Sequence, residues 1–270
     1  MASLFRRTMG ELENLGIRPS KRLGQNFLID GNLIDKLISV GNVRPCDHVV
    51  EIGPGLGAIS EKILRAGAEL FAIELDRRFF EFLTTQFKDC ANFYPQCADA
   101  VKFPLAGLPE EISTFKVVAN LPYAISSPWV GAMLNCAKLP DAVVLIVQME
   151  VAQRFLSGEG SSKISPLAIF LQSVYDGTCV HKVSRSSFFP QPAVSSAMIK
   201  LEKKENIFLF KAETKRVMGE IFTQRRKQIS WAMKGKYAAV RTWVLENGIA
   251  PTLRPEEISL LQWQQLDKFF

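Results

Sequence analysis

The sequence predicts an α/β chain, a mostly parallel sheet with helices on both faces, followed by a small all-α C-terminal domain. Three observations carry this. Between about residues 30 and 200, short valine- and isoleucine-rich runs alternate with helical periodicities. Four residues suited to ligand binding, Gly53, Glu74, Asp99 and Asn120, each follow a predicted strand. Open α/β sheets gather ligands there, at the carboxyl ends of their strands. After Lys200 the pattern turns helical and basic.

The elements follow in order. Residues 31–43 carry Leu33, Ile34, Leu37 and Ile38 on one face and read as a helix. Residues 48–52 read as a strand that runs into Gly53-Pro54-Gly55-Leu56-Gly57. A helix resumes over 60–65, and the next strand, 70–73, ends at Glu74-Leu75-Asp76. Residues 77–87 are helical, with Phe79, Phe80, Phe82, Leu83 and Phe87 as the apolar set. A short strand near 92–96 precedes Asp99. The valine-rich runs 116–119 and 142–148 suit central strands buried on both faces. Residues 151–156 read as a helix, 165–175 as a helix or helix plus strand, and 196–201 as a last strand. Helical pattern then extends to about Lys236, and a segment with Pro251 and Pro255 leads to a final helix near 255–268. The domain boundary is thus expected at residue 200, giving domains 1–200 and 201–270. Gly158-Glu159-Gly160-Ser161-Ser162 is the candidate mobile loop.

The net charge of +6 has a location. Residues 1–199 hold 19 Lys and Arg against 19 Asp and Glu, whereas residues 200–270 hold 14 against 8. Lys215, Arg216, Arg225, Arg226, Lys227, Lys234, Lys236 and Arg241 face a single acid, Glu220, within their stretch. Such density is the expected footprint of a polyanion partner, the competing reading being a solvated helix face. The five cysteines are odd in number, scattered and without a C-x-x-C pair. They point to reduced thiols in a cytoplasmic protein rather than a disulfide or zinc framework. His48 and His181 lie far apart, which argues against a histidine metal site or a Ser-His-Asp triad. Arg6 and Arg7 are not followed by an apolar run of signal-peptide length, and the other apolar runs are strand-sized, so no membrane segment is expected. A monomer is expected.

Asn120-Leu121-Pro122-Tyr123 matches one chemical problem, methylation of the exocyclic amine of adenine. That amine is a poor nucleophile because its lone pair is delocalised into the ring. Acceptors on its two hydrogens draw the nitrogen towards tetrahedral geometry. The Asn120 side-chain carbonyl and the Leu121 backbone carbonyl are such acceptors. Pro122 stiffens the turn. Tyr123 offers a flat ring on which a base stacks, worth ~1–3 kcal/mol. The plainer alternative is a strand end, a proline turn and a core aromatic.

Glu51-x-Gly53-x-Gly55-x-Gly57 is a turn stripped of side chains, so a ligand can touch its backbone. Its spacing fails the G-x-G-x-x-G dinucleotide pattern, and no G-K-[ST] follows it. Glu74 suits ribose hydroxyls, and Asp99 can accept from a cofactor adenine amine. A nucleoside cofactor without phosphates, S-adenosylmethionine (SAM), fits these residues better than a nucleotide. A turn with surface acids is the alternative.

With these residues in hand, the chain resembles the SAM-dependent rRNA adenine dimethyltransferases over nearly its whole length. The resemblance rests on Lys21-Arg22-Leu23-Gly24-Gln25-Asn26-Phe27-Leu28, the glycine turn, Glu74-Leu75-Asp76, Asp99-Ala100 and residues 120–128. Gln148-Met149-Glu150-Val151-Ala152-Gln153-Arg154 and Phe189-Pro190-Gln191-Pro192-Ala193-Val194 extend it. Gln224-Arg225-Arg226-Lys227 and Leu253-Arg254-Pro255-Glu256-Glu257 are similar to the KsgA-type, small-subunit (16S) branch rather than the large-subunit branch. The resemblance implies a Rossmann-like methyltransferase fold with a seven-stranded sheet over 1–200 and a basic rRNA-binding domain over 201–270. It implies SAM contacts from Asn26, Leu28, Gly53, Glu74, Asp99 and Asn120, a target adenine held by Asn120, Leu121 and Tyr123, and no metal. Phe189 would sandwich that adenine opposite Tyr123, with a core aromatic as the alternative. Arg225, Arg226 and Lys227 would grip 16S rRNA in the immature small ribosomal subunit. The implied reaction adds two methyls to each of two adjacent adenosines in a hairpin loop near the 3′ end of that RNA. Three departures stand out. Ala124 replaces a frequent Asn, Ser195 replaces a frequent Asp, and Ser161-Ser162-Lys163-Ile164-Ser165 lacks a usual Tyr-Gly. A non-catalytic assembly factor and a DNA adenine methyltransferase are the rival readings, the second weakened by a C-terminal part of only 71 residues.

Overall fold

An N-terminal helix, α1 (Ala2–Asn14), precedes the alternating region in the computed structural model, which describes residues 2–19, 24–234 and 238–270. There follow β1 (Phe27–Leu28), α2 (Gly31–Val40), β2 (His48–Ile52), α3 (Ala58–Arg65), β3 (Glu69–Glu74), α4 (Arg77–Gln86), β4 (Phe93–Cys97) and β5 (Lys116–Asn120). The chain continues through α5 (Ser126–Met133), β6 (Ala142–Gln148), α6 (Met149–Phe155), α7 (Pro166–Gln172), β7 (Tyr175–Val183), β8 (Phe188–Phe189) and β9 (Ser196–Lys203). It ends with α8 (Ala212–Thr223), α9 (Ser230–Met233), α10 (Ala238–Glu246) and α11 (Leu260–Leu266).

Local chemistry sets the boundaries. Asp30 caps α2 by accepting the Leu33 N–H at 3.3 Å, and Asp76 caps α4 by accepting the Arg78 N–H at 3.0 Å. Ser165 caps α7 with Pro166 in its first turn, and the helix stops at Ser173 so that β7 begins at Tyr175. The stretch 165–175 is therefore a helix followed by a strand.

Seven strands form one sheet in the order β4-β3-β2-β5-β6-β9-β7. β2 runs parallel to both β3 and β5, β3 to β4 and β5 to β6, while β9 is antiparallel to β6. The chain steps outward from β2 through β3 to β4, then returns to β5 on the other side of β2. The strand order reverses at the β2–β5 boundary, where open α/β sheets form their ligand crevice. Val49, Leu70, Ala72, Val118, Val144 and Ile146 of the sheet bury against Leu33, Ile34 and Leu37 of α2 and Ile59 and Ile63 of α3. The mostly parallel seven-stranded sheet with flanking helices and a helical C-terminal region is the architecture the sequence predicts.

The chain divides into two compact units, Met1–Ala152 with Thr178–Glu202, and Gln153–Gly177 with Lys203–Phe270. A single boundary at residue 200 leaves 153–177 in the first domain. In the structure Ile164, Ala168 and Ile169 of that segment enter the second unit's core with Val217, Met218, Ile221 and Val244. Trp243 and Trp263 stack at the centre of that core, ring centroids 5.0 Å apart. The 158–162 loop is tied within the same unit. Its Gly160 N–H donates to the Glu256 carbonyl at 2.7 Å, and its Ser162 carbonyl accepts from Arg225.

Candidate active site

One cleft opens at the carboxyl ends of β2, β3 and β5. Asn26, Leu28, Gly53, Glu74, Asp99, Asn120, Leu121, Pro122 and Tyr123 all line it. Phe189 is the exception among the residues singled out for substrate or cofactor. It pairs with Phe27 across β1 and β8, its ring stands edge-on to Phe5 at 5.7 Å, and it does not line the cleft. Lys21, Arg22 and Leu23 lie outside the described residues.

The glycine turn has specific steric grounds. Gly53 has φ +65°, and a Cβ there would stand 2.8 Å from Pro122 Cγ. The turn after β2 and the turn after β5 therefore touch, and only glycine permits the approach. A Cβ on Gly24 would lie 3.1 Å from the Tyr123 backbone nitrogen, so residues 24–26 run close beside the same β5 turn.

Glu74 is nearly buried and works on the loop it faces. Its Oε2 accepts the Gly55 N–H at 3.0 Å and its Oε1 accepts the Asp76 N–H at 2.9 Å. Burial raises its pKa against the lowering effect of these backbone donors. With the Leu75 backbone as a third donor, the carboxylate still keeps lone-pair capacity for a hydroxyl in the cleft. Asp99 Oδ1 accepts the Val101 N–H at 2.9 Å, which turns the chain after β4. Asp76 is held by the Arg78 guanidinium at 3.0 and 2.6 Å, which keeps its carboxyl below the usual range.

Glu51 sits beneath the turn and is 1% exposed. Burial pushes it up to about 8, the Glu74 charge adds to this, and the Ser60 hydroxyl opposes it by donating at 2.5 Å. Ser60 carries no sequence signal for this role, being one helical turn along on the facing element. A carboxyl whose folded pKa exceeds its unfolded value holds its proton longer in the folded state. Its contribution is therefore full at pH below about 4.5 and is lost as pH rises through about 8. The expected result is that wild-type denaturation midpoints fall between pH 5 and 8 relative to Glu51→Gln, whose amide still accepts from Ser60. Parallel pH profiles for the two proteins would show that Glu51 is not protonated in the fold.

Asn120 ends β5 with its side chain oriented. Its Nδ2 donates to the Asn26 carbonyl at 2.8 Å, which leaves Oδ1 pointing elsewhere, buried and without a partner. A buried acceptor with no partner is costly, and one at a cleft wall marks a place for a ligand donor. The Leu121 N–H donates to the Ile146 carbonyl at 3.1 Å, which fixes the peptide on the β6 side. Tyr123 is half-buried, and its hydroxyl lies 2.6 Å from Oγ of the fully buried Ser196 on β9. Burial raises the phenol pKa, with the Ser196 bond opposing, so the ring is neutral and held at both ends. Ser196 escaped sequence reasoning because serine in a strand has many uses.

Three carboxylates, Glu74, Asp76 and Asp99, line the cleft, and no Lys or Arg does so among the described residues. Such a wall suits a neutral or cationic ligand rich in hydroxyls and amines, not a phosphate. In the second unit Arg226 and Lys227 are exposed, and Lys227 Nζ sits 5.0 Å over the Trp231 ring. Arg225 is half-buried and spends one N–H on Ser162. Arg216 is paired with both Glu213 and Glu220, so it contributes less free charge than the sequence suggests. Lys236 lies outside the described residues.

Comparison with known proteins matches residues 17–270 to the family model described as ribosomal RNA adenine dimethylase. The chain is 41% identical over 262 residues to ribosomal RNA small subunit methyltransferase A of Opitutus terrae, covering 94% of each. It is 35% identical to the protein of that name from Pseudomonas putida, over 92% of this chain and 94% of the other. Among solved structures it is similar to a dimethyladenosine transferase from Plasmodium falciparum, with TM-score 0.73 and 25% identity over 89% of this chain and 95% of that one. The 23S rRNA methyltransferase ErmE shares the fold, with TM-score 0.64 and 22% identity over 90% of this chain and 99% of that one.

Proposed function

The chain belongs to the ribosomal RNA adenine dimethylase family, an rRNA adenine methyltransferase by descent, and from that premise we propose its substrate, product and site. It transfers methyl groups from SAM to the exocyclic amines of two adjacent adenosines in a hairpin loop near the 3′ end of 16S rRNA. Two methyls go to each. The immature small ribosomal subunit is the substrate, and the protein works as a monomer in the cytoplasm. The observation that carries this reading is the Asn120 carboxamide, pinned through its nitrogen with its oxygen unpartnered at the cleft wall.

SAM fits the cleft on chemistry. The carboxylates of Glu74 and Asp99 accept from hydroxyls and an adenine amine, the glycine backbone at 53–55 leaves room for close approach, and among the described residues no basic side chain asks for phosphate. Asn26, Leu28, Gly53, Glu74, Asp99 and Asn120 would hold it, and when bound it supplies a methyl activated by a sulfonium. Asn120 Oδ1 and the Leu121 carbonyl accept the two amine hydrogens and hold the lone pair towards that methyl. Pro122 keeps both carbonyls aimed, and the Tyr123 ring stacks on the base. Most of the acceleration is positional, since the electrophile comes ready-made. The methylated amine is acidic and releases its proton to water. The target must be unpaired, and an RNA loop presents such a base at low cost.

The test is labelled-methyl transfer from SAM to small subunits purified from a methylase-deficient strain, followed by nuclease digestion and mass spectrometry. Dimethyladenosine at two adjacent loop positions is expected. No incorporation, with SAM and subunit both bound, would make the chain a non-catalytic assembly factor. The basic segment has its own expectation. Replacing Arg226 and Lys227 with glutamine lowers subunit affinity and reduces the slope of log K against log salt by roughly 1.5, at ~0.7–0.9 per phosphate contact. S-adenosylhomocysteine binding stays as in the wild type. An unchanged salt slope would remove these two residues from the RNA surface.

A further inference from the structure

We infer that helix α1 is a wall of the methyl-donor site, and that its docking and donor binding are coupled. The inference rests on the cleft being the donor site. Thr8, on α1, lines the same cleft as Gly53 and Asn120 and is 3% exposed. The helix lies outside residues 17–270, the part that matches the family model, so the catalytic motifs do not account for it.

Three anchors hold it. The Arg7 guanidinium donates to Glu61 at 2.6 Å and to Glu11 at 2.7 Å, and Glu61 lies in the first turn of α3, directly after the glycine turn. Leu12 and the following Ile17 bury in one cluster with Leu56 of that turn and Phe79 of α4. Phe5 stands edge-on to Phe189. Every anchor outside α1 belongs to an element of the cleft or to a segment paired with one, as β8 is with β1.

Two of the three anchors, the Arg7 pair and Phe5, are of limited strength. Arg7 pairs at the surface with 39% of its side chain exposed, and Phe5 and Met9 remain 39% and 38% exposed. Surface ion pairs of this kind contribute little each. A short helix so held can undock without unfolding the sheet. If its docked form favours the donor, the donor favours the docked form by the same factor. Donor residence is then set partly by a segment remote from the reacting atoms.

The experiment measures S-adenosylhomocysteine affinity, its dissociation rate and hydrogen exchange of residues 4–14, with and without ligand. The full chain is compared with Glu61→Gln, Arg7→Gln and Thr8→Phe, each checked by its thermal midpoint without ligand. The expected results are slower exchange in α1 on saturation and roughly two- to fivefold faster dissociation from the Arg7 and Glu61 variants. Thr8→Phe, which adds a ring at a buried position on the cleft wall, loses affinity by at least that factor. Identical affinities and rates in all variants, with α1 exchange indifferent to ligand, overturn the inference while leaving the donor site intact. A native chain that binds no S-adenosylhomocysteine overturns the donor assignment and this inference together.

Discussion

Asn120→Ala is expected to lower kcat for rRNA methylation by about 10²–10³, with a much smaller change in S-adenosylhomocysteine affinity. The comparison is the loss of one preorganised hydrogen-bonding group at a reacting centre, which costs roughly that factor. The Asn120 amide is preorganised in this sense, because its Nδ2 is committed to the Asn26 carbonyl at 2.8 Å and its Oδ1 is buried with no partner. An oxygen with no ground-state partner gains most when an amine donor arrives, so its removal falls on the transition state rather than on donor binding. Asn120→Asp is expected to fare no better. A carboxylate has no N–H for the Asn26 carbonyl, and two acceptors would then face each other. Single-turnover kinetics on undermethylated subunits, with binding measured separately, give the two quantities. Equal losses in donor affinity and rate would recast Asn120 as a cofactor residue only. A rate near wild type would remove it from the chemistry.

Gly53→Ala is expected to weaken S-adenosylhomocysteine binding at least tenfold, reduce methylation further and cost about 1–3 kcal/mol of stability. A left-handed backbone on an L-residue costs about 1–2 kcal/mol by itself. At this position φ is +65°, and the new methyl meets Pro122 Cγ at 2.8 Å. A proline ring has little freedom to yield, so the strain passes to the turn that carries Leu121 and Tyr123. Gly219→Ala is the control. It lies inside α8, and a Cβ there meets nothing within 4 Å, so a gain of about 0.5–1 kcal/mol is expected. Chemical denaturation and ligand titration on both variants separate a local from a general effect. If Gly53→Ala binds ligand as tightly as wild type, the contact between the two turns is not needed for the site.

The strands β2, β3, β5 and β6 were legible because a strand buried on both faces reads as a run of valine and isoleucine. Gly53, Glu74 and Asn120 were legible for the same reason, since each stands at the end of an apolar strand, whereas Asp99 follows the less apolar β4. β7 was not, because most of its residues are exposed and Tyr175-Asp176-Gly177-Thr178 shows no alternation. Helix α1 was not legible, because Phe5 and Met9 stay exposed and blur its apolar face, and a single Arg7–Glu11 i,i+4 pair is a weak signal. The membership of 153–177 in the second unit follows from contacts with residues beyond 203, which no local window contains.

The sequence by itself determined the alternating fold, the glycine turn, the location of the charge and which residues are of cofactor and acceptor type. Those properties depend on near neighbours and on residue chemistry. The tertiary structure decided orientation and commitment. It set Phe189 beside the cleft-lining Phe27 rather than in the lining itself, neutralised Arg216 with Glu213 and Glu220, and brought Thr8 to the cleft. It also tied the Asn120 nitrogen to a carbonyl 94 residues away, which is what frees the oxygen. A hydrogen bond between distant segments is set by packing of the whole sheet, and no local pattern carries it.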